Sequence, residues 1–323
     1  MGLTRALSLF ARTMAFLPWR LILGLSSAAL LILSIMACLA VAHRVAGTDP
    51  LGLAASVLGI LCGCGLWVGV MLGLRGLVLA KVRLPHSAAM VALLDGDSVP
   101  GGQAQVMTAR SIVQAQLGSS GVLSRLDRLV RAVVLDAATL ADEGMGAGEN
   151  GNRPGLSDRF RRLFRRTEAG AISEAVLAHA LRDPTGNGWD RAHDGTVLFA
   201  QNSGRLLGVT GRLVVSGWCF AAMVFLALLE PAAWFATLMP GASESAGLTL
   251  GLALALAWGV KAALIDPVVS ACVVQLFLGT TQGQKPNAEW RGMLVYSVPA
   301  FRALGEGAVA WKPERNGRLV GQA

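Results

Sequence analysis

The sequence predicts an all-α polytopic membrane protein, a four-span helical bundle with a cytoplasmic helical region. The 323 residues are 54% hydrophobic and only 15% charged, which is too apolar for a soluble domain of this length. Several nearly uncharged runs have the length that a helix needs to cross about 30 Å of hydrocarbon. Basic residues are concentrated in the segments that would lie on one side of the membrane, as the positive-inside rule requires.

The first pair of spans lies in a predicted N-terminal segment at 1–80. Its apolar runs are Leu21 to Ala42 and Leu51 to Leu74. The residues before them carry three arginines and no acid, so we expect a basic amphipathic segment on the inner membrane surface. A cleaved signal peptide is the competing interpretation, because Ala40 to Ala42 resembles a cleavage site. The length of the first run and the span that follows favour a retained signal-anchor.

A stripe of glycines in the second span predicts close helix packing. Gly65, Gly69 and Gly73 are spaced four apart and share one helix face, while Gly59 and Gly63 form a second register. Small residues at this spacing let two membrane helices approach closely. We therefore predict that Gly65, Gly69 and Gly73 are helix-packing positions.

The cytoplasmic helical region is predicted at 81–206. Apolar residues recur at helical spacing between Val122 and Leu140, and a weaker helical pattern precedes them. The Gly- and Asn-rich stretch at 143–155 predicts a flexible linker.

A strongly basic helix is predicted directly after this linker, in the sequence SDRFRRLFRR. Its apolar residues can share one face, and the remaining surface is crowded by Arg159, Arg161, Arg162, Arg165 and Arg166. Two interpretations stay open. The helix lies on an anionic leaflet, or it is a solvated helix that packs its apolar edge on a neighbour.

The second pair of spans is predicted at 207–279, followed by a cytoplasmic tail at 280–323. Its last apolar run, Ala246 to Gly279, would form a single helix roughly 50 Å long, which exceeds a hydrocarbon core of about 30 Å. Asp266-Pro267 offers an explanation, because proline cannot donate to the helix ladder and aspartate is a favoured N-cap. We expect one helix to end or kink near Ile265 and a second to begin at Pro267.

Lys261, Asp266 and Pro267 form the candidate site, because charges within a span are costly and usually functional. Lys261 and Asp266 are five residues apart and point in different directions on an α-helix, unless a break near Ile265 changes this. The functional interpretation is a contact with a cation or polar solute at a broken helix, as in transporters. The structural alternative is that Lys261 extends to the inner interface while Asp266 caps a helix.

Other classes of chemistry find little support in the sequence. The four histidines are scattered, and neither a nucleophile elbow nor a phosphate loop is present. All five cysteines lie in apolar runs, where reduced thiols are expected. The net charge of +8 lies mostly beside the apolar runs, which favours membrane flanks over nucleic-acid binding. We expect no enzyme activity, no cofactor, no metal and no nucleic-acid partner.

The C-terminal part resembles a known family. The segment GTVLFAQNSGRLLGVTGRLV, Gly195 to Val214, is similar to the segment before the penultimate span of choline-transporter-like proteins. The sequence ALIDPVVSACVVQLFLG, followed by TTQGQ, resembles the last helix of that family, with its acidic residue and Leu-Phe-rich end. The resemblance implies a pathway for choline or a related solute, with Asp266 as the residue that carries over.

Two functions are consistent with these expectations. The first is a non-catalytic integral membrane subunit or scaffold of a larger membrane assembly of the secretion or transfer type. The second is an oligomeric transporter or channel for a small cationic or polar solute. In both, we expect a multi-pass protein of the bacterial inner membrane with both termini in the cytoplasm. Its expected partners are anionic lipids and other membrane subunits or further copies of itself.

Overall fold

The computed structural model describes residues 3–46, 50–144, 156–182, 186–237 and 246–311. Every regular element in these ranges is helical, which confirms the predicted all-α class. The α-helices are α1 (Leu3–Arg12), α2 (Leu17–Ala46), α3 (Pro50–Val78), α4 (Leu84–Asp95), α5 (Gly102–Leu117), α6 (Ser120–Gly144), α7 (Leu156–Ala180), α8 (Gly188–Gln201), α9 (Ser203–Thr237), α10 (Ala246–Val260), α11 (Asp266–Thr281), α12 (Ala288–Ser297) and α13 (Pro299–Ala310). A first π turn, Leu79–Arg83, joins α3 to α4, and a second π turn, Lys261–Ile265, joins α10 to α11.

Five helical segments of the described chain are long and apolar enough to cross a membrane: Met14–Ala42, Val57–Leu74, Gly76–Asp95, Ser203–Trp234 and Thr249–Thr281. Four of them coincide with the predicted spans. The additional segment, Gly76–Asp95, belongs to the same continuous helix as Val57–Leu74, because the first π turn keeps the backbone helical from α3 into α4. At 1.5 Å per residue that helix is far longer than about 30 Å of hydrocarbon, so one crossing cannot contain both segments.

The chain divides into two compact units, and unit 1 comprises 1–16, 76–215 and 268–323. Its hydrophobic core is the largest in the described chain and includes the inner faces of α4, α6, α7, α8 and α13. The apolar stripe predicted between Val122 and Leu140 forms the core face of α6, where Leu126 and Val133 are fully buried. The periodicity of the sequence therefore identified this core helix correctly.

The helix α7 of unit 1 is longer than the predicted basic helix. It runs from Leu156 to Ala180, so the basic stretch and the residues after it form one helix. Arg165 is half-buried and donates to the carbonyl oxygen of Ala138 on α6 over 3.4 Å, whereas Arg166 is exposed. The side chains of Arg159, Arg161 and Arg162 lie outside the described residues. So do most of the predicted linker, from residue 145 to 155, and the tail beyond residue 311.

Unit 2 comprises 17–75 and 216–267, and its helices α2 and α10 pack antiparallel. A Cβ atom on Gly24 would lie 2.7 Å from the carbonyl oxygen of Gly259, and Ala28 shares a buried cluster with Ala255. The two backbones therefore approach too closely at Gly24 for any larger residue. The second π turn begins two residues after Gly259, at Lys261.

The second membrane helix packs on α2 through one of its two glycine registers. A Cβ atom on Gly63 would lie 2.6 Å from the Cα atom of Ile35, so glycine is required there. No described atom lies within 4 Å of a Cβ atom placed on Gly65, Gly69 or Gly73. The close contact in this chain therefore uses the second register, and the assignment of Gly65, Gly69 and Gly73 as helix-packing positions stays a prediction.

Candidate functional site

The helix does not end at Asp266-Pro267, so the expected helix end near Ile265 is wrong, and the second π turn interrupts the α-helix there instead. Asp266 has φ −58° and ψ −38°, which is α-helical and not the extended backbone of an N-cap. Its N–H donates to the carbonyl oxygen of Lys261, five residues earlier. In an α-helix the ring of Pro267 would clash with the carbonyl four residues before it, and the wider π turn accommodates the proline without ending the helix.

The second π turn brings Lys261 and Asp266 together. The Nζ atom of Lys261 lies 2.6 Å from Oδ1 of Asp266. The expectation that these residues are no natural pair assumed α-helical geometry, whereas a π turn bonds residue i to residue i+5 and aligns their side chains. Only 10% of the Lys261 side chain is exposed, against 33% of Asp266. The ammonium group is therefore largely shielded, whereas part of the carboxylate side chain is accessible.

Two tryptophans lie against the lysine and a third packs on one of them, and we call Trp67, Trp218, Trp258, Lys261 and Asp266 the tryptophan–lysine cluster. The Nζ atom of Lys261 lies 4.8 Å from the ring centre of Trp218 and 5.6 Å from that of Trp258. Trp67 meets the edge of Trp258 at 5.6 Å and 85°, and Trp218 lies 5.6 Å from Trp258. Indole faces attract cations, most strongly where water is excluded. The cluster therefore holds an ammonium group between a carboxylate and two ring faces.

A hydrogen bond fixes the outermost tryptophan of the cluster. Trp67 on α3 donates its Nε1–H to the carbonyl oxygen of Ser27 over 3.0 Å, and the Ser27 hydroxyl lies 3.3 Å from the same nitrogen. A buried indole N–H without an acceptor costs free energy, so this bond stabilises the position of the ring. The cluster thus joins α3, α9 and α10 to α2 within unit 2.

A second buried cation belongs to the same unit. Arg20, which the sequence suggested to be part of a surface segment, is only 5% exposed and interacts within the chain. It lies about one helical turn before Gly24 on α2. Because α2 and α10 are antiparallel and Gly24 faces Gly259, Arg20 lies level with the second π turn. Two buried cations and one carboxylate therefore occupy this level of the bundle.

The sequence could have identified one of the three tryptophans. Trp258 precedes Lys261 by three residues, which places both on one helix face. Trp67 and Trp218 come from other helices, and no local pattern connects them to Lys261. A tryptophan within a span is also expected at an interface, not beside a charge, so composition gave no further indication.

Unit 1 contains a different ion pair, with a buried carboxylate. The Glu174 side chain is 1% exposed. Its Oε1 accepts from the Ser87 hydroxyl at 2.7 Å, and its Oε2 lies 3.2 Å from Nη2 of Arg83. Arg83 is the last residue of the first π turn, and Pro85 follows it after one residue. Glu174 therefore links α7 to the first π turn through Arg83 and to α4 through Ser87. Glu174 thus connects separate parts of the fold, and its buried carboxylate is not accessible to a ligand.

The described histidines lie apart from both ion pairs. Nε2 of His86 is 2.8 Å from the Thr13 hydroxyl, His179 packs against Phe277, and His193 stacks on Phe301 at 4.0 Å. Burial is the main cause that lowers the pKa of His179 and of His193, and nearby arginines lower both further. Among the described residues, no group of three histidines, cysteines or acids is placed to hold a metal ion.

Comparison of the chain with protein-family models, with curated proteins and with solved structures gives no match. The resemblance to choline-transporter-like proteins therefore stays an expectation from the sequence. The functional conclusion has to come from the cluster and from the surfaces of the helices.

Proposed function

We propose that the protein is a non-catalytic integral membrane subunit of a larger assembly of the secretion or transfer type. We place it in a bacterial inner membrane with both termini in the cytoplasm. The observation that carries the proposal is the open face of α3. Only 11% of the segment Val57–Leu74 is buried within the chain, and the face of Gly65, Gly69 and Gly73 has no described atom against it. Glycine weakens a helix by about 1 kcal/mol relative to alanine, and closer packing with another membrane helix offsets that cost.

The tryptophan–lysine cluster supports a structural role for the charged residues of the span. Lys261 already has a carboxylate at 2.6 Å and indole faces beside it. An intramembrane charge that is paired and covered by its own chain fixes the arrangement of the helices that supply the partners. Such a bundle suits a subunit whose membrane helices dock against other chains.

The direct test is extraction of the tagged full-length protein in a mild detergent, followed by mass measurement of the intact complex. We expect unlike subunits to co-purify. Gly69→Leu should displace them without lowering the thermal stability of the chain itself, because the face is open. Gly63→Leu is the matched variant, and it should lower that stability, because leucine cannot fit against Ile35. Extraction of the wild-type chain as a monomer or a homo-oligomer contradicts the proposal.

A specific observation favours a second function, transport of a small cationic solute by an oligomer. Indole faces and a carboxylate around an ammonium group resemble the arrangement that binds quaternary ammonium compounds. Asp266 is one-third exposed, so a solute cation could exchange with Lys261 at its carboxylate.

This second function is tested with purified protein in liposomes and choline as the probe. Asp266→Asn should abolish uptake and leave the protein folded, whereas Glu230→Gln, at an exposed carboxylate of the same unit, should not change uptake. Uptake at the rate of empty vesicles removes the transport function.

A further inference from the structure

A cavity of about 280 Å³ in unit 1 is lined by residues with a consistent chemistry. Two lining residues, Lys81 and Arg110, are cationic, and Gln114, Ser119 and Ser120 contribute polar side chains. None of its nine lining residues is acidic. The volume is just below the range of sites for small molecules, about 300–1,000 Å³.

A hydrogen bond to the backbone holds the arginine at the residue that carries the lysine. Arg110 on α5 donates its Nε–H to the carbonyl oxygen of Lys81 over 2.8 Å. This bond places the guanidinium group next to the first π turn, on which Lys81 lies. A bound anion would offset the repulsion between two like charges at one cavity. The lining therefore carries two positive charges and no negative one.

The turn between α5 and α6 also lines the cavity. Gly118 has φ +94°, a conformation that favours glycine, and Ser119 and Ser120 follow it in the lining. Because α6 begins at Ser120, its first amides also point out of the helix end. The lining therefore combines hydroxyl donors with a lysine and an arginine, which are groups that donate to anions.

We propose that this cavity binds a phosphate group, carried by the headgroup of an anionic lipid or by a free phosphate compound. Arginine and lysine are the usual partners of phosphate, and hydroxyls and amides supply the remaining hydrogen bonds. In the sequence, Lys81 follows the apolar run Val57–Leu74 by seven residues and lies in the next apolar segment, Gly76–Asp95. If Val57–Leu74 is the crossing, Lys81 is at a juxtamembrane position, where basic residues contact lipid headgroups. The site is separate from the tryptophan–lysine cluster and does not depend on the proposed function.

The test is thermal unfolding of the delipidated full-length protein in detergent, with added phosphatidylglycerol or inorganic phosphate. We expect phosphatidylglycerol to raise Tm by about 3 °C, since ligands that bind only the folded state stabilise it. Lys81→Gln, at an exposed residue, should reduce the rise, and Lys81→Gln with Arg110→Gln should abolish it. The control is Lys285→Gln with Arg302→Gln, two exposed cations away from the cavity, which should retain the full rise.

The source of the phosphate follows from the two probes. A rise with the lipid alone assigns a headgroup, and a rise with inorganic phosphate as well assigns a free phosphate compound. An equal rise in the wild type and in the Lys81 and Arg110 variant overturns the site. So does a rise that is lost equally in the control pair, because it then reflects net charge alone.

Discussion

The first and the second π turn each accommodate a proline, which follows the turn after one residue. This proline is Pro85 in unit 1 and Pro267 in unit 2. Each turn also carries a cation that is paired with a carboxylate. In unit 1, Arg83 faces Glu174 of a different helix at 3.2 Å. In unit 2, Lys261 faces Asp266 of its own helix at 2.6 Å.

The same local structure, a π turn with an ion pair, therefore has a different role in each unit. The pair in unit 1 connects positions that are far apart in sequence, so it stabilises tertiary structure. The pair in unit 2 closes only its own turn, and its contribution to tertiary structure comes from the indoles that cover Lys261. Glu174 is 1% exposed and Asp266 33% exposed, so the two carboxylates also differ in how much water screens them.

The largest effect is expected for the pair in unit 1. Glu174→Gln removes a buried carboxylate from Arg83 and should lower the free energy of unfolding by about 2 kcal/mol, the value for a hydrogen bond to a charged group. The loss is below that for a fully buried ion pair because Arg83 is 36% exposed and stays solvated. Denaturant or thermal unfolding in detergent measures it. Glu289→Gln, at an exposed acid on α12, is the control and should be neutral. Equal losses in the two variants contradict a role of Glu174 as a tie between helices.

A smaller effect is expected for the indole cover in unit 2. Trp218→Leu removes one ring face from Lys261 and should lower the free energy of unfolding. The part of this loss that comes from the contact with the cation should be about 1 kcal/mol. That part is measured by repeating the substitution in a Lys261→Met background, where it should disappear. A loss that is the same in both backgrounds shows that Trp218 acts by apolar packing alone.

The smallest effect concerns pH and is confined to unit 1. Burial lowers the pKa of His179 and His193, so the folded chain resists their protonation while the unfolded chain binds protons near the usual histidine pKa of about 6.5. Their contribution to stability is therefore present above that pH and is lost as the pH falls through the lowered values. Burial raises the pKa of Glu168 from its usual value of 4.5. Its contribution to stability therefore has the opposite pH dependence, since it is present below that value and is lost as the pH rises.

Thermal unfolding across this range checks the expectation. His179→Gln with His193→Gln should flatten the decline of Tm below about pH 6.5, and Lys261→Met should leave the decline unchanged. A Tm that rises on mild acidification, from about pH 7 to about pH 6, is inconsistent with buried neutral histidines.

The sequence predicted what depends on local pattern. Hydropathy gave the membrane class and the positions of four spans, and helical periodicity gave the core face of α6 between Val122 and Leu140. Lys261, Asp266 and Pro267 could be selected because charge and proline are unusual within an apolar run. All of these properties are encoded in neighbouring residues.

The π turn could not be predicted, because proline disfavours a regular α-helix without deciding whether the helix ends or widens. The nearest close backbone contact, Gly24 against Gly259, involves a residue more than two hundred positions away, so local sequence gives no sign of it. Trp67 and Trp218 were missed for the same reason. Spacing also could not show which glycines of α3 contact α2, since Gly59 and Gly63 have the same spacing as Gly65, Gly69 and Gly73.

The most direct test of the closed pair in unit 2 is a double-mutant cycle on Lys261 and Asp266. Lys261→Met and Asp266→Asn should each lower the free energy of unfolding, and the double variant should lose less than the sum by about 1 kcal/mol, the coupling expected for side chains in contact. Such coupling supports a π turn that aligns the two residues and a structural role for the charges. Additive losses would mean that Lys261 and Asp266 act independently, which contradicts the closed cluster on which the proposed role of unit 2 depends.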